Sequence, residues 1–300
     1  MRIIFYGTPE FAVTSLERII ENNFNVIAVV TAPDKPAGRG LNMQPSAVKQ
    51  SAFKYNIPVL QPPNLKAPEF IDELKKLNPD IQVIIAFRML PEMVWNLPPL
   101  GTLNLHGSLL PDYRGAAPIN RAIMNGETKT GVSTFFLKHA IDTGNILMQR
   151  EVEILDDDNA GSLHDKLMDT GADLVVESLR RIESGDNETF PQTVLPRHHK
   201  APKIFTQDCE INWNQPVIQI HNQIRGLSPY PGAFTVYQNK MIKLFQGYYQ
   251  LSPNTISGIF QLHEDKHFRI SSPDGWYYPT LVQPEGKRKM TIQDFINGLK

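Results

Sequence analysis

The chain contains one cysteine, Cys209, so it cannot close an intramolecular disulfide, a usage that belongs to reducing compartments. No apolar run approaches the roughly 18 residues of a membrane helix. The opening Met1-Arg2-Ile3-Ile4-Phe5-Tyr6-Gly7 reaches a turn too early for a secretion signal. Net charge is −1, which gives the whole chain no bias toward polyanions. Gly7 stands outside any GxGxxG pattern, so the dinucleotide-binding fingerprint is missing. His198 and His199 have no companions at metal-ligand spacing. Asp156-Asp157-Asp158 immediately precede a helical pattern, where the helix dipole favours negative charge. These absences lead us to expect a cytoplasmic protein with no membrane association and no metal.

What is present is ordinary in bulk and uneven in detail. Of 300 residues, 41% are hydrophobic and 20% charged, enough for a full core and for two domains. Charge divides along the chain. Residues 1–196 hold 18 Lys/Arg against 24 Asp/Glu, a net −6, and residues 197–300 hold 12 against 7, a net +5. A basic C-terminal third is where a polyanion would be met, although chance asymmetry gives the same numbers.

Strand and helix patterns alternate over the first 190 residues. Short apolar runs at Arg2–Tyr6, Val26–Thr31, Ile81–Phe87 and Thr102–His106 predict strands, with helices at 10–22, 46–55, 68–77, 116–125 and 160–184. Val132–Leu137 and Ile146–Ile154 read as later strands. The nearly unbroken apolar run at 81–87 is that of a strand buried on both faces. The pattern predicts an α/β fold with a Rossmann-like, mostly parallel sheet over residues 1–190. Residues 32–45, rich in Pro and Gly, read as a loop, and the polar stretch 191–205 as a linker. Residues 206–300 change rhythm. Short aromatic and β-branched runs at 233–237, 241–245, 258–262, 268–271 and 276–282 predict a smaller OB-like β-barrel domain.

The densest chemistry lies in Leu103-Asn104-Leu105-His106-Gly107-Ser108-Leu109-Leu110-Pro111. Alternate side chains of a strand share a face, which puts Asn104 and His106 together near a strand's carboxyl end, where parallel sheets bind ligands. Asn donates through its amide and His exchanges a proton near neutral pH. The same pair also reads as two hydrogen-bonded polar residues at a strand end, and spacing alone leaves both readings open. Asp142, before Thr143-Gly144 between two apolar runs, is a turn former or a carboxylate able to orient His106.

Asn-x-His-x-Ser-Leu-Leu-Pro, Arg-Gly-Ala-Ala-Pro at 114–118 and Asp-Thr-Gly at 142–144, in that order, resemble the folate-dependent formyltransferases. The resemblance implies a Rossmann-like fold, 10-formyltetrahydrofolate as formyl-donor co-substrate, and a catalytic triad of Asn104, His106 and Asp142. It further implies a folate site along Phe87, Arg88, Met89 and Leu90, the segment Ser108, Leu109, Leu110 and Pro111, and His139 on the opposite wall.

The opening Phe5-Tyr6-Gly7-Thr8-Pro9-Glu10-Phe11-Ala12 and the loop Pro33-Asp34-Lys35-Pro36-Ala37-Gly38-Arg39-Gly40 resemble the methionyl-tRNA branch of that family. So do Trp213, the segment 224–233 and Gln283-Pro284-Glu285-Gly286-Lys287-Arg288-Lys289-Met290. This branch implies initiator methionyl-tRNA as acceptor and a monomeric enzyme, with Lys35, Arg39, Lys287, Arg288 and Lys289 against the RNA. Leu41 and Asn42 stand where the family often carries lysines, which predicts a shallower salt dependence. Three alternatives are a formyltransferase for a nucleotide-linked amino sugar, a formyltetrahydrofolate hydrolase, and a non-catalytic tRNA-binding protein. The basic C-terminal domain argues against the first two, and the intact triad against the third.

Overall fold

The computed structural model describes residues 1–37, 42–196, 198–253, 256–262 and 268–299. It begins with β1 (Arg2–Gly7), five of whose six residues are buried. Helix α1 (Glu10–Glu21) follows and buries Ala12, Leu16 and Ile19, the stripe of a helix lying on a sheet. Next come β2 (Asn25–Val30), β3 (Lys35–Ala37), β4 (Asn42–Gln44), α2 (Ala47–Lys54) and β5 (Val59–Leu60). Helix α3 (Pro68–Leu77) starts with Pro at its first position, buries Phe70 and Leu74, and stops at Asn78 in the left-handed region, as its termination signals require. The chain continues through β6 (Ile81–Ile85), α4 (Glu92–Trp95), β7 (Thr102–His106), β8 (Arg114–Gly115), α5 (Pro118–Met124), β9 (Lys129–Phe136), β10 (Ile146–Glu153), α6 (Ala160–Glu183) and β11 (Lys200–Ala201).

Seven strands form one sheet in the order β10-β9-β7-β6-β1-β2-β5. β1 pairs in parallel with β2 and β6, β2 with β5, and β6 with β7. β7 meets β9 antiparallel, with Asn104 opposite Phe135 and His106 opposite Ser133. The mostly parallel α/β expectation is met. From β1 the chain first builds outward to β2 and β5, then returns to add β6 and β7 on the other side. The switch point therefore falls between β1 and β6, and a crevice opens at their carboxyl ends. Between residues 32 and 45, expected as loop, β3 and β4 pair as a short ribbon with Lys35 opposite Gln44.

The chain divides into two compact units: residues 1–114, 131–152 and 164–200, and residues 115–130, 153–163 and 201–300. The second is therefore discontinuous, and a cut at 191–205 separates α5 from units it packs within. It contains α7 (Val217–Gly226), β12 (Ala233–Tyr237), β13 (Lys240–Leu251), β14 (Phe260–Leu262), β15 (Phe268–Ser272), β16 (Gly275–Pro284), β17 (Met290–Thr291) and α8 (Ile292–Asn297). Five of these strands run in the order β12-β13-β16-β15-β14, with β17 added to β16. All the pairings are antiparallel, and the sheet curls as a half-barrel over a core of Trp213, Ile220, Ile224, Leu244, Phe268, Ile270 and Tyr277. β13 is twelve residues long, against five predicted. Register shifts between Leu244 and Gly247 break its alternation, and the period-2 signal fails there although pairing continues.

Candidate active site

Strand β7 ends where the sequence places its polar pair. Thr102, Leu103, Leu105 and His106 are buried while Asn104 is half-buried. The loop after β7 is pinned from β9 and β10. Ser133 Oγ donates to Ser108 O at 2.6 Å and accepts from Leu110 N at 3.0 Å, and Gln149 Nε2 donates to Leu110 O at 2.9 Å and Ser133 Oγ at 2.8 Å. Ser108 Oγ donates to Asp112 O at 2.6 Å. This network delivers Tyr113, whose φ of 55° is left-handed, with its carbonyl 2.9 Å from His106 Nε2.

That contact settles the imidazole's role. A carbonyl has no hydrogen to give, so Nε2 carries one, and Nδ1 is the nitrogen left to change protonation. Nδ1 faces Asp142 Oδ2 at 3.9 Å, with the two side chains only 10% and 15% exposed. This is ion-pair range and about 1 Å longer than a hydrogen bond. A short movement, or a water, completes the contact. Asp142 itself adopts φ 53°, a conformation Asp tolerates better than most residues. The Asn104 amide takes no protein partner among the described residues, which leaves its donors for a ligand. Asn104, His106 and Asp142 thus come from two segments nearly forty positions apart to one end of β7.

Two further groups support the site: Arg114, which opens the Arg-Gly-Ala-Ala-Pro motif but has no role assigned from the sequence, and Gln192, which escapes sequence reading. The Arg114 guanidinium is lowered from its usual pKa by burial, an effect the Asp142 carboxylate opposes. Gln192, in the expected linker, accepts from Arg114 Nε at 2.9 Å and donates to Asp142 O at 3.0 Å and Gly144 O at 2.7 Å. The stretch expected as a linker is therefore fastened to the loop that carries Asp142. Phe190 exchanges two backbone hydrogen bonds with Ile146, and the His199 ring stacks on Tyr113 with centroids 5.2 Å apart. No short-range pattern announces such contacts.

The expected folate wall is mixed. Ala86, just past β6, has φ 47° and turns the chain into the segment 87–91. A cleft of about 840 Å³ is lined by Arg88, Met89, Leu90, Pro91, Lys66 and Met93, among others. Met89 is 71% exposed and lines that cleft. Arg88 is braced, donating to the carbonyls of Pro62 and Pro63, and lies over the Phe87 ring at 5.6 Å. Phe87 packs edge-on against Tyr6. Leu90 and Leu110 are core residues, and the Ser108 hydroxyl is spent within the loop, so these three offer no side-chain donor; the backbone N–H of Leu110 is taken as well, by Ser133. Leu109 and Pro111 are half-buried. His139 is exposed, with Nε2 at 3.2 Å from Glu92 Oε1.

Among the expected RNA-facing residues, Lys35 is exposed on β3 and Arg39 lies outside the described residues. The root of its loop is well fixed. Lys49 Nζ donates to Asp34 Oδ2 and Gln61 Oε1, both at 2.7 Å, and Gln61 Nε2 donates to Asp34 Oδ1 at 2.8 Å. The bond from Lys49 holds the Asp34 carboxyl below the usual carboxylate range. In the other unit Lys287 and Arg288 line a cavity of about 610 Å³ with Tyr237, Lys240 and Asp294. Lys289 is engaged, its ammonium 3.8 Å from the Phe245 ring centroid. Among the described residues no group of His, Cys, Asp and Glu is arranged to hold a metal.

A sheet with its switch point at β1/β6, an Asn-x-His strand end and a facing aspartate define the class. Residues 1–179 match the formyl transferase family and residues 203–300 its C-terminal domain, and the chain belongs to that family. Curated relatives in its methionyl-tRNA branch align end to end. The methionyl-tRNA formyltransferase of Parabacteroides distasonis is 46% identical, covering 100% of this chain and 96% of its own. That of Bacteroides fragilis is 45% identical, covering 99% and 95%. The N-formyltransferase of Helicobacter canadensis, solved with folinic acid and dTDP-3-aminofucose, shares the fold at 24% identity, a TM-score of 0.68 and coverage of 96% of this chain and 99% of its own.

Proposed function

We propose that this protein transfers the formyl group of 10-formyltetrahydrofolate to the α-amino group of methionyl-initiator tRNA, and that Asn104, His106 and Asp142 perform the step. The observation that carries the reading is the His106 imidazole held between the Tyr113 carbonyl and the Asp142 carboxylate, beside an Asn104 amide with no protein partner, in a chain whose full-length relatives carry that activity in their names.

The neutral amine attacks the formyl carbon and a tetrahedral oxyanion forms. Asn104 and the Nδ1–H of protonated His106 donate to that oxygen, each such donor contributing about 3 kcal/mol. The attacking nitrogen becomes cationic and gives its proton to Asp142, directly or through water. Asp142 passes that proton, directly or through water, to the folate nitrogen as its bond to carbon breaks, leaving a formamide and tetrahydrofolate with the carboxylate restored. Asp142 also keeps the imidazolium paired during charge build-up. Residues 87–91, with the backbone of 108–111 and His139, form the folate site in this reading. A monomer acting in the cytoplasm, where initiator tRNA is used, completes it.

Incubating the enzyme with 10-formyltetrahydrofolate and methionyl-initiator tRNA, free methionine, an amino-sugar nucleotide or buffer alone tests the assignment. Formyl transfer to the charged tRNA alone is expected. Transfer to the sugar nucleotide, or release of formate at a comparable rate without an acceptor, would replace the acceptor assignment.

Two further expectations concern RNA. Lys287→Ala/Arg288→Ala should raise KM for tRNA several-fold and flatten its salt dependence by about one unit of log-log slope per lost phosphate contact, leaving kcat and the KM for folate unchanged. Unlike those two side chains, Lys289 also packs on Phe245, so its removal confounds charge with packing. Lys49→Met leaves Asp34, at the root of β3, held by Gln61 alone among the described residues. It should reduce kcat/KM for the tRNA by about tenfold, a loss of roughly 1.4 kcal/mol, with folate KM constant. Equal losses toward both substrates would show a general folding defect instead.

A further inference from the structure

We propose that Gln192 is a positioning residue for formyl transfer: its carboxamide locks the loop carrying Asp142 to the Arg114 guanidinium and so sets the carboxylate against His106. The inference rests on the reading that Asp142 acts with His106.

Every hydrogen-bonding position of the Gln192 side chain is committed to this one task. Its oxygen accepts from Arg114 Nε at 2.9 Å and Nη2 at 2.5 Å. Its nitrogen donates to the carbonyls of Asp142 at 3.0 Å and Gly144 at 2.7 Å. A planar amide with both donors and both acceptor directions occupied has one orientation. The carbonyls it holds flank Thr143 and include that of Asp142, whose left-handed φ is 53°. Arg114 is a suitable anchor, because its fork is rigid and always charged.

The surrounding segment makes a packing role insufficient. Phe190, Val194 and Leu195 are 47%, 56% and 40% exposed, so apolar burial does not hold this stretch. Hydrogen bonds do. Ile146 and Phe190 exchange two at 2.9 Å, and Asn145 Nδ2 donates to Thr189 Oγ1 at 3.3 Å. Removing the Gln192 amide opens no core cavity, and Phe190 still fastens the segment. What is lost is the register of Asp142, and small misplacements of a reacting group are costly in rate.

Gln192→Met keeps the length and removes all four bonds. Gln192→Glu keeps the acceptor for Arg114 but turns an oxygen toward the Asp142 and Gly144 carbonyls. Both variants are expected to lower kcat by about 10- to 100-fold, with KM for folate and for methionyl-tRNA within about twofold; the lost hydrogen bonds lower the melting temperature somewhat, so rates are compared at a temperature where a melt shows each variant fully folded. The decisive measurement is a cycle with Asp142→Ala under single-turnover conditions at high enzyme concentration. If Gln192 works through Asp142, Asp142→Ala/Gln192→Met transfers formyl as fast as Asp142→Ala alone. Multiplicative losses in the double variant, or a wild-type kcat for Gln192→Met, overturn the inference while the assigned reaction stands. Failure of the unsubstituted enzyme to formylate methionyl-tRNA overturns both.

Discussion

Alanine at His106 is expected to slow formyl transfer by about 1,000-fold or more, through loss of an oxyanion donor and of the positive charge that faces Asp142. The position of the ring makes the size of the effect predictable. Nε2 is committed to the Tyr113 carbonyl at 2.9 Å, so Nδ1 is the nitrogen left for the proposed contact with substrate. Removing the ring also leaves a buried carbonyl without its donor, at about 1–3 kcal/mol of stability. Rates must therefore be compared with a thermal melt of the same preparation. Asn104→Ala is the cleaner partner experiment: its amide supports no fold contact among the described residues, and a loss of about 100-fold should come with an unchanged melting temperature. Asp142→Ala should fall between the two in rate. Near-wild-type turnover in all three variants, measured with saturating folate and charged tRNA, would remove the mechanism.

Gly144→Ala should be the most disruptive single methyl in the first unit. A Cβ built at this position lies 1.6 Å from Phe136 O and 2.9 Å from Phe135 Cδ2. The first is backbone and the second belongs to a ring with no exposed surface, so neither neighbour can turn aside. The chain must separate where β9 leads into the Asp142 loop, breaking the bond from Phe136 N to Asn145 O and disturbing the cluster of Leu110, Phe135 and Ile146. We expect a destabilisation of about 3 kcal/mol or more, read as a lowered urea midpoint. We also expect kcat to fall further than the folded fraction, because Asp142 moves with the loop. A variant with wild-type stability and activity would show the approach at Gly144 to be looser than described.

Much of this site is legible in the sequence because its information is local. The alternation Leu103-Asn104-Leu105-His106 up to Gly107 marks both the boundaries of β7 and the face its polar residues share, and those boundaries match the observed Thr102–His106. Asp142 depends on family resemblance: no local rule separates a catalytic aspartate from a turn former. Gln192 has no local signal at all, since its partners are 50 and 78 positions away and a lone Gln between prolines reads as solvent-exposed chain. Ser108, Leu90 and Leu110, expected along the folate site, lie in the loops after β7 and β6 with their side chains buried, a direction that no periodicity signals outside a strand. In the second unit, α8 was missed because six residues with Phe295 and Ile296 as its buried pair present too short a period to detect.

The fastening of residues 189–199 bears on how this enzyme can be dissected. The N-terminal family match ends at residue 179, which invites a catalytic fragment cut there. Such a fragment would contain every residue of the triad and still forfeit Gln192, the Phe190 bridge and the His199 stack on Tyr113. Minimal units drawn from alignment edges would misjudge this protein. A cut near Lys200 would keep that outer thread yet strand residues 115–130 and 153–163, which belong to the second compact unit, so no single cut between the two family matches yields one whole unit.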